Sequence, residues 1–169
     1  SYRFCDEAIE DLKSDYPDSN VINVDTRCVS GGLGMLVKKV CKLYEAGESM
    51  ESVLSWIEEN KLKIAHRFTV DDLNWLKRGG RVSNASALVG TLLSIKPVLY
   101  VPDEGTLVAA NKVRGRKVAL NSIIESIRND LKDVTAPEFM INHADCLDDA
   151  KYVMEKIKEA YPGAKVTIS

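Results

Sequence analysis

Amphipathic helical stripes alternate with short β-rich runs along nearly the whole chain, and this alternation constrains the fold more than any other feature. Apolar residues three and four positions apart predict helices, whereas short runs of β-branched residues predict strands. The predicted order is α-β-α-α-β-α-α-β-β-α-β-α-β, with no internal repeat or heptad array. This order favours an α/β fold into which one antiparallel hairpin is inserted.

Turn residues and helix caps place the individual elements. Strands are predicted at residues 21–25, 63–68, 94–101, 106–113, 138–143 and 164–168. Helices are predicted within residues 2–14, 33–44, 50–60, 85–93, 120–131 and 150–161, and a further short helix runs through Leu73 and Leu76 and ends at the Gly79-Gly80 pair. Ser49 is expected to cap the third helix, and Thr69 with Asp72 resembles a capping box for the fourth. A basic region begins near residue 60, so we predict a partial first lobe at 1–62 and a second lobe at 63–169.

Length and composition indicate an ordinary globular domain rather than a disordered, fibrous or membrane-spanning chain. The 169 residues, 45% of them hydrophobic, can form a core without disulfides or a metal. No apolar run approaches the ~18 residues of a membrane helix, and the expected location is the cytoplasm. The four cysteines have no C-x-x-C spacing, so reduced and inert thiols are expected.

The net charge of −2 conceals a basic middle region. Residues 60–117 contain eleven Lys and Arg against four Asp and Glu, whereas the remainder of the chain is acidic. An anionic ligand or an acidic partner is therefore expected at the middle of the chain. The isoelectric point near 5.8 argues against bulk nucleic-acid binding.

Two basic loops in this region are candidate segments for facing an anion or a partner. Two adjacent glycines end the fourth helix and place Arg81 in a loop, where a guanidinium can bind a carboxylate or phosphate through two hydrogen bonds. The run 112–117 contributes Arg114 and Arg116 at a strand-to-helix transition. Each cluster alone is equally consistent with charges that contact only solvent. A basic-faced interaction or nucleic-acid-binding module is the alternative function.

The segment 25–34 combines a strand end, a glycine-rich turn and a helix start. Free N–H groups at a helix N-terminus attract anions, so Ser30 beside Gly31 and Gly32 is a candidate ligand-binding residue. The segment lacks the third glycine of a dinucleotide fingerprint. Close packing of the helix on a strand is the simpler explanation for its glycines.

The predicted helix 85–93, followed by Ile95, is unusually free of charge. It forms either part of the core or the wall of a pocket for an apolar ligand. In the second case Leu88, Leu92 and Ile95 are the candidate lining residues. Ten buried methylenes of such a ligand would contribute about 8 kcal/mol, at roughly 0.8 kcal/mol each.

Residues suited to catalysis are few. His143 is placed at the end of a predicted strand, a favoured ligand position in open α/β sheets, and is a candidate ligand-binding residue. Asp145 is interpreted as a helix N-cap and His66 as a structural residue inside a strand. A small-molecule enzyme that uses His143 is a weaker alternative, because the sequence pairs this histidine with no evident base or nucleophile.

Three stretches, Phe68–Ser83, Leu92–Leu99 and Lys112–Lys117, resemble the DegV family in order and spacing. Residues 24–26 and 30–34 resemble the earlier V-D-[ST]…S-x-G-x-G turn of that family. The resemblance covers nearly the whole chain, and its L-x-x-L-x-x-G-G-R-[IV]-S core is specific.

This resemblance implies a bacterial fatty-acid-binding protein with two α/β lobes, which acts as the acyl-carrier subunit of a fatty acid kinase. A separate kinase subunit phosphorylates the carboxyl group of the bound fatty acid, so the carrier itself is not an enzyme. By motif position, Arg81 and Arg114 lie on the kinase-facing surface, and Arg116 is placed with them. The fatty acid is the only ligand implied, without a cofactor or a metal.

The chain departs from the family pattern at both ends. Ser1 and Tyr2 resemble the last two residues of an S-G-[ST]-Y turn whose hydroxyls hold the carboxyl group, which makes Ser1 a candidate ligand-binding residue. The family's T-S-Q-P-S-type loop and its closing H-T-G-P-G-type segment are missing. We therefore expect the middle of a longer protein that retains fatty acid weakly. An unpaired sheet edge or exposed apolar face would also favour self-association.

Overall fold

The computed structural model describes residues 2–81 and 95–169. Several sequence predictions lie outside these ranges: the helix at 85–93, the candidate lining residues Leu88 and Leu92, and Ser1. Ile95, the remaining candidate lining residue, is the first residue of a strand. Helices and strands alternate along the described chain, so the predicted α/β class is confirmed.

Six helices and five strands are present in the described ranges. The helices are α1 (Tyr2–Asp15), α2 (Ser30–Glu45), α3 (Met50–Asn60), α4 (Leu73–Arg78), α5 (Arg116–Asp130) and α6 (Leu147–Ala160). The strands are β1 (His66–Thr69), β2 (Ile95–Val101), β3 (Val108–Arg114), β4 (Glu138–Ile141) and β5 (Lys165–Ile168). A short 3₁₀ turn, Lys61–Lys63, connects α3 to the segment before β1.

The strands form two separate sheets. β1, β2 and β3 form an antiparallel sheet in that order, in which Thr69 lies opposite Val98. The predicted hairpin is confirmed as β2–β3, whose register shifts at a bulge between Val98 and Leu99. β4 and β5 form a parallel pair, and α6 provides the crossover between them.

The core lies on both sides of α5, because the apolar residues of this helix face two neighbours. Ile123 packs in one buried cluster with Val98 from the middle of β2. Leu120 and Ile124 pack in a second cluster with Ile157 of α6. Full burial of a side chain of this kind contributes about 1.5–3 kcal/mol, so α5 is the element that holds the sheet and α6 together.

The strand predicted at residues 21–25 is wrong, because residues 20–29 have no regular secondary structure. The side-chain amide of Asn23 instead donates to the carbonyl oxygen of Tyr2 and to Oδ1 of Asp6, at 2.9 Å each. A β-branched run becomes a strand only where a neighbouring strand accepts its backbone hydrogen bonds. Within the described ranges no strand pairs with this run.

The N-terminal helices leave much apolar surface exposed. α1 is amphipathic but has no buried residue, and Phe4 and Tyr16 are exposed. Val37 and Tyr44 of α2 are exposed as well. Self-association through such surface stays a prediction. The lobe boundary between residues 62 and 63 also stays a prediction, although α2 contacts β4 across it.

Helix starts show which caps the sequence predicts correctly. The Ser49 cap is confirmed, since its Oγ accepts a hydrogen bond from the Ser52 N–H at 3.2 Å. The capping box at Thr69 is wrong, because Thr69 is the last residue of β1. Asp72 provides the cap for α4 instead, and its Oδ1 accepts from the Asn74 N–H at 2.8 Å.

Candidate functional site

The glycine-rich turn at the start of α2 packs directly against the ends of strands from both sheets. A Cβ atom added at Gly32 would overlap the imidazole of His66, and one at Gly31 would overlap the side-chain amide of Asn142, just after β4. Both glycines are buried. The glycines are therefore required for close packing, which was the simpler explanation that the sequence favoured.

His66 connects this turn to β1. The Val29 N–H donates a hydrogen bond to Nε2 of His66 at 3.2 Å, so this nitrogen must be unprotonated. Burial, opposed by hydrogen bonds to the backbone of Val29 and Ile64, lowers the pKa of His66 below its ordinary range. These contacts agree with the structural role predicted for this residue.

The lowered pKa of His66 predicts a loss of stability in mild acid. Because the unfolded chain binds the imidazole proton more readily than the folded chain, the free energy of unfolding falls as the pH drops below the ordinary histidine value of about 6.5. The urea concentration at the midpoint of unfolding should be lower at about pH 5.5 than at about pH 7.5. His66→Asn should reduce this difference, and an unchanged difference in that variant would contradict the assignment.

Ser30, the candidate from the glycine turn, is the first residue of α2 and has a left-handed backbone with φ of 46°. Its side chain is exposed and forms no hydrogen bond with any residue in the described ranges. Nearby, Arg27 pairs with Asp25 at 2.7 Å and donates from Nη1 to the carbonyl oxygen of Glu104 at 3.0 Å. The hydrogen bond from Arg27 thus connects the turn to the β2–β3 loop, and the Ser30 hydroxyl stays accessible to solvent.

An open cleft of about 350 Å³ lies between this turn, β1 and the β2–β3 loop. Its charged wall includes Arg27, Lys61 and Arg67. Each of these cations already pairs with a carboxylate of the chain, Lys61 with Glu58 at 2.7 Å and Arg67 with Asp130 at 2.6 Å. The cleft therefore mixes apolar residues, such as Leu62, Ile64 and Val101, with charged ones, and the three cations of its wall are already paired.

His143 lies just after β4 and is half-buried. Its backbone N–H donates to the carbonyl oxygen of Ser169 at 3.3 Å, and its Nδ1 accepts from the Cys146 N–H at 3.2 Å. Cys146 occupies the N-cap position of α6, so the prediction that Asp145 caps this helix is wrong. Asp145 instead adopts a left-handed backbone, with φ of 53°, that allows the His143 ring to reach the helix start.

Two of the three candidate arginines are exposed to solvent. Arg81 follows α4, and its guanidinium donates only to the nearby carbonyl oxygen of Gly79 among the residues that the structure describes. Arg114 ends β3 opposite Ile95, and its guanidinium forms no ion pair in the described part of the chain. Both are therefore available to an external anion.

The third arginine, Arg116, is held inside a cluster of charges. Its Nε atom pairs with Asp149 at 2.7 Å, and its Nη1 atom lies 3.5 Å from Asp71. Its Nη2 atom donates to Sγ of Cys146 at 3.6 Å. Lys96 completes the cluster by pairing with Asp71 at 2.8 Å. Arg116 thus differs from Arg114, and its assignment to the partner surface stays a prediction.

Sequence reasoning missed Asp71 and Lys96, which the structure brings together. The hydrogen bond from Lys96 is the main reason that the pKa of Asp71 lies below its usual range, and Arg116 acts in the same direction. The available signal was a single lysine within the otherwise apolar run that forms β2. Such a lysine needs a counter-charge, because an unpaired charge is costly to bury.

The described ranges, residues 2–81 and 95–169, also bear on metal binding, catalysis and membrane crossing. No group of three or more His, Cys, Asp and Glu is placed there to hold a metal ion. Neither histidine in these ranges hydrogen-bonds to the side chain of a serine, cysteine or carboxylate. None of the described helices combines the length and the apolar character needed to cross a membrane.

Comparison with known proteins decides the family. The family model described as "Uncharacterised protein, DegV family" matches residues 6–169. The chain belongs to the DegV family. A DegV domain-containing protein of Clostridium perfringens is 42% identical over 161 residues, which are 95% of this chain and 55% of that relative. This DegV chain therefore spans about half the length of the curated relatives that it matches.

Solved DegV structures share the fold. A fatty-acid-binding DegV family protein from Thermus thermophilus is 32% identical, with a TM-score of 0.75, and the match covers 94% of this chain and 57% of that one. The Streptococcus pneumoniae Fatty Acid Kinase (Fak) B3 protein, loaded with linoleic acid, is 23% identical, with a TM-score of 0.81 and coverage of 99% and 59%. At that identity the second likeness supports the fold alone.

Proposed function

We propose that the protein binds a long-chain fatty acid and presents the carboxyl group of that fatty acid to a separate kinase subunit. The observation that carries this proposal is the 32% identity, over 94% of the chain, to the Thermus thermophilus DegV protein that binds fatty acid. Because the chain spans about half of its relatives, the activity is assigned to the full-length protein.

The apolar stretch that leads into β2 is assigned to the acyl tail. Ile95 is half-buried at the start of β2, directly after the uncharged run that contains Leu88 and Leu92. Each methylene buried there contributes roughly 0.8 kcal/mol, so about ten contribute about 8 kcal/mol. In this proposal the tail provides the affinity, and polar groups only fix the orientation of the head.

The polar end of the ligand is assigned to Ser30 and His143, with Ser1 as a third contributor. Ser30 precedes Gly31, which packs against Asn142, and Asn142 precedes His143. The two candidate residues therefore lie on adjoining segments that touch. The positive end of the α2 dipole adds a preference for negative charge at this place.

The exposed arginines are assigned to the kinase partner. Arg81 and Arg114 both carry guanidinium groups that face solvent in the described structure. An exposed guanidinium can pair with carboxylates of a partner or with the phosphates of its ATP. Phosphoryl transfer is assigned to the partner, and the use of ATP places the protein in the cytoplasm in this proposal.

Native mass spectrometry of the full-length protein, produced in bacteria, tests the lipid assignment. We expect a population heavier than the bare chain by the mass of one fatty acid, because a tightly bound tail survives purification. Denaturing spectra of the same sample should return the bare mass, which distinguishes a bound ligand from a covalent adduct. A native spectrum containing only the bare chain would refute the proposal.

A gel-shift assay distinguishes the alternative nucleic-acid module. Phosphate contacts made by several cations weaken steeply as the salt concentration rises. The pairing of Arg116 with Asp149 already removes one cation from the basic run 112–117. We expect no retarded complex at physiological salt, and a complex that disappears with added salt would favour the alternative.

A further inference from the structure

Four charged side chains form a cluster that links four separate segments of the described chain. Asp71 comes from the loop before α4, Lys96 from β2, Arg116 from the start of α5 and Asp149 from the start of α6. Lys96 and Arg116 both pair with Asp71, at 2.8 Å and 3.5 Å, and Arg116 also pairs with Asp149 at 2.7 Å. Asp71 is thus the one carboxylate in this cluster that contacts both cations.

The two segments that meet at Asp71 also carry the two exposed arginines. From Asp71 the chain passes through the six-residue α4 to Gly79, Gly80 and Arg81. On the other side, Arg114 is separated from Arg116 by Gly115, whose positive φ of 94° makes a sharp corner. The pairing of Asp71 with Arg116 therefore fixes the start of the Arg81 segment beside the corner that presents Arg114.

The exposed fractions of the Asp71, Lys96 and Arg116 side chains show why their ion pairs can hold the Arg81 segment beside the Arg114 corner. The side chains of Lys96 and Arg116 are only 17% and 29% exposed, so water screens their charges incompletely. The Asp71 side chain is 74% exposed, so its carboxylate lies at the surface rather than in the core. Removing its charge leaves no cavity, which makes the cluster accessible to a clean substitution.

We propose that Asp71 is a positioning residue, which holds the Arg81 segment and the Arg114 corner in the single relative orientation that the kinase subunit docks against. This inference rests on the proposed function. Asp71 itself does not contact the fatty acid or the transferred phosphoryl group in this proposal. It acts on docking only through Lys96 and Arg116.

The first test measures backbone opening and does not require the kinase. The Arg81 N–H donates to the carbonyl oxygen of Leu76 at 2.9 Å, and the Ala119 N–H donates to the carbonyl oxygen of Gly115 at 3.2 Å. Both amides are therefore protected from hydrogen exchange, and each reports on one of the two segments. In the full-length Asp71→Asn variant we expect the rate of amide hydrogen exchange at these two sites to increase about threefold to fivefold. An increase of this size corresponds to the loss of one favourable ion pair. Asp71→Glu, which keeps the charge, should restore much of the protection.

The matched control is Glu138→Gln. It removes a carboxylate that pairs with Lys165 at 3.4 Å on the exposed face of β4 and β5, away from the cluster. Exchange at the Arg81 and Ala119 amides should match the unmodified protein in this variant. Unchanged exchange in Asp71→Asn would overturn the positioning role, as would an equal increase in Asp71→Asn and Glu138→Gln.

The second test measures phosphoryl transfer to bound fatty acid by the kinase subunit with radiolabelled ATP, treating the loaded carrier as the substrate. A docking surface that is misaligned should raise KM for the carrier about fivefold and leave kcat within about twofold. The effect of Asp71→Asn should also disappear when Arg81 and Arg114 are already alanine. A fall in kcat alone, or an effect that persists in the alanine background, would overturn the inference.

The two tests separate the inference from the proposed function. Faster exchange that is specific to Asp71→Asn supports the link between the segments, even if the unmodified protein carries no fatty acid. Absence of fatty acid and of transfer in the unmodified protein would refute the proposed function and the docking role of Asp71 together. Normal transfer with identical KM in Asp71→Asn would overturn the inference while the proposed function stands.

Discussion

Gly32→Ala is expected to destabilise the protein by about 1–3 kcal/mol, the usual cost of forcing an extra methyl group into a packed site. The new Cβ would overlap the imidazole of His66, so the ring must move. Movement of the ring breaks the hydrogen bond from the Val29 N–H. It also separates the start of α2 from β1, whose first residue is His66.

Gly34→Ala is the matched control, because it makes the same chemical change two residues further along α2. A Cβ at Gly34 would meet only Sδ of Met140, at the ordinary contact distance of 3.7 Å. Alanine is favoured over glycine inside a helix by about 1 kcal/mol, so this variant should be neutral or slightly stabilised. The gain in helix propensity is common to both variants. The difference between their free energies of unfolding therefore isolates the cost of the overlap with His66.

Thermal unfolding of the two variants provides the measurement. For a chain of this size, each 1 kcal/mol corresponds to a shift in Tm of about 2–4 °C. Gly32→Ala should unfold several degrees below Gly34→Ala. Equal unfolding temperatures would show that His66 can move without cost, and that the glycine is not required for packing.

The elements that the sequence predicts well are those whose signal is local. α5 and α6 have apolar residues at helical spacing, and the side chains that this spacing selects, such as Ile123 and Ile157, are indeed buried. The cap at Ser49 needs only a hydroxyl three residues before a backbone N–H. The β2–β3 hairpin follows from two strand-like runs and the turn between them.

The elements that the sequence does not predict depend on partners far away in the chain. Residues 21–25 have the composition of a strand but no neighbour that pairs with them in the described ranges. Thr69 could cap a helix by spacing alone, yet pairing with β2 retains it in β1. In both cases long-range backbone pairing decides between two locally acceptable structures.

The candidate site shows the same limit at the level of single side chains. Arg114 and Arg116 are two residues apart and contribute equally to the basic run, so the sequence assigns them one role. The structure turns the chain at Gly115, and Arg116 then meets Asp149, which is 33 residues away. Of these two arginines, Arg114 is the exposed one. A charge run therefore locates a surface but does not show which of its charges are free.

Arg81→Ala and Arg114→Ala, made in the full-length protein, are expected to reduce phosphoryl transfer to bound fatty acid by about thirtyfold or more each. This is the effect of about 2 kcal/mol that follows when one partner of a charge pair is removed from an interface. The fatty acid content in native mass spectra should not change, because both exposed guanidinium groups are assigned to the partner surface and not to the acyl tail. Transfer of radiolabelled phosphate from ATP in the presence of the kinase subunit measures the effect.

Arg128→Ala is the control for this prediction, since Arg128 is an exposed arginine in the last turn of α5 and lies away from the docking surface. The kinase subunit should transfer phosphate to the fatty acid bound by this variant at the rate seen with the unmodified protein. Retention of fatty acid with lost transfer in the Arg81 and Arg114 variants would assign these arginines to the partner. Loss of fatty acid with normal transfer per bound lipid would instead place them at the carboxyl group, because an unpaired carboxylate head would then lower the affinity for the ligand itself.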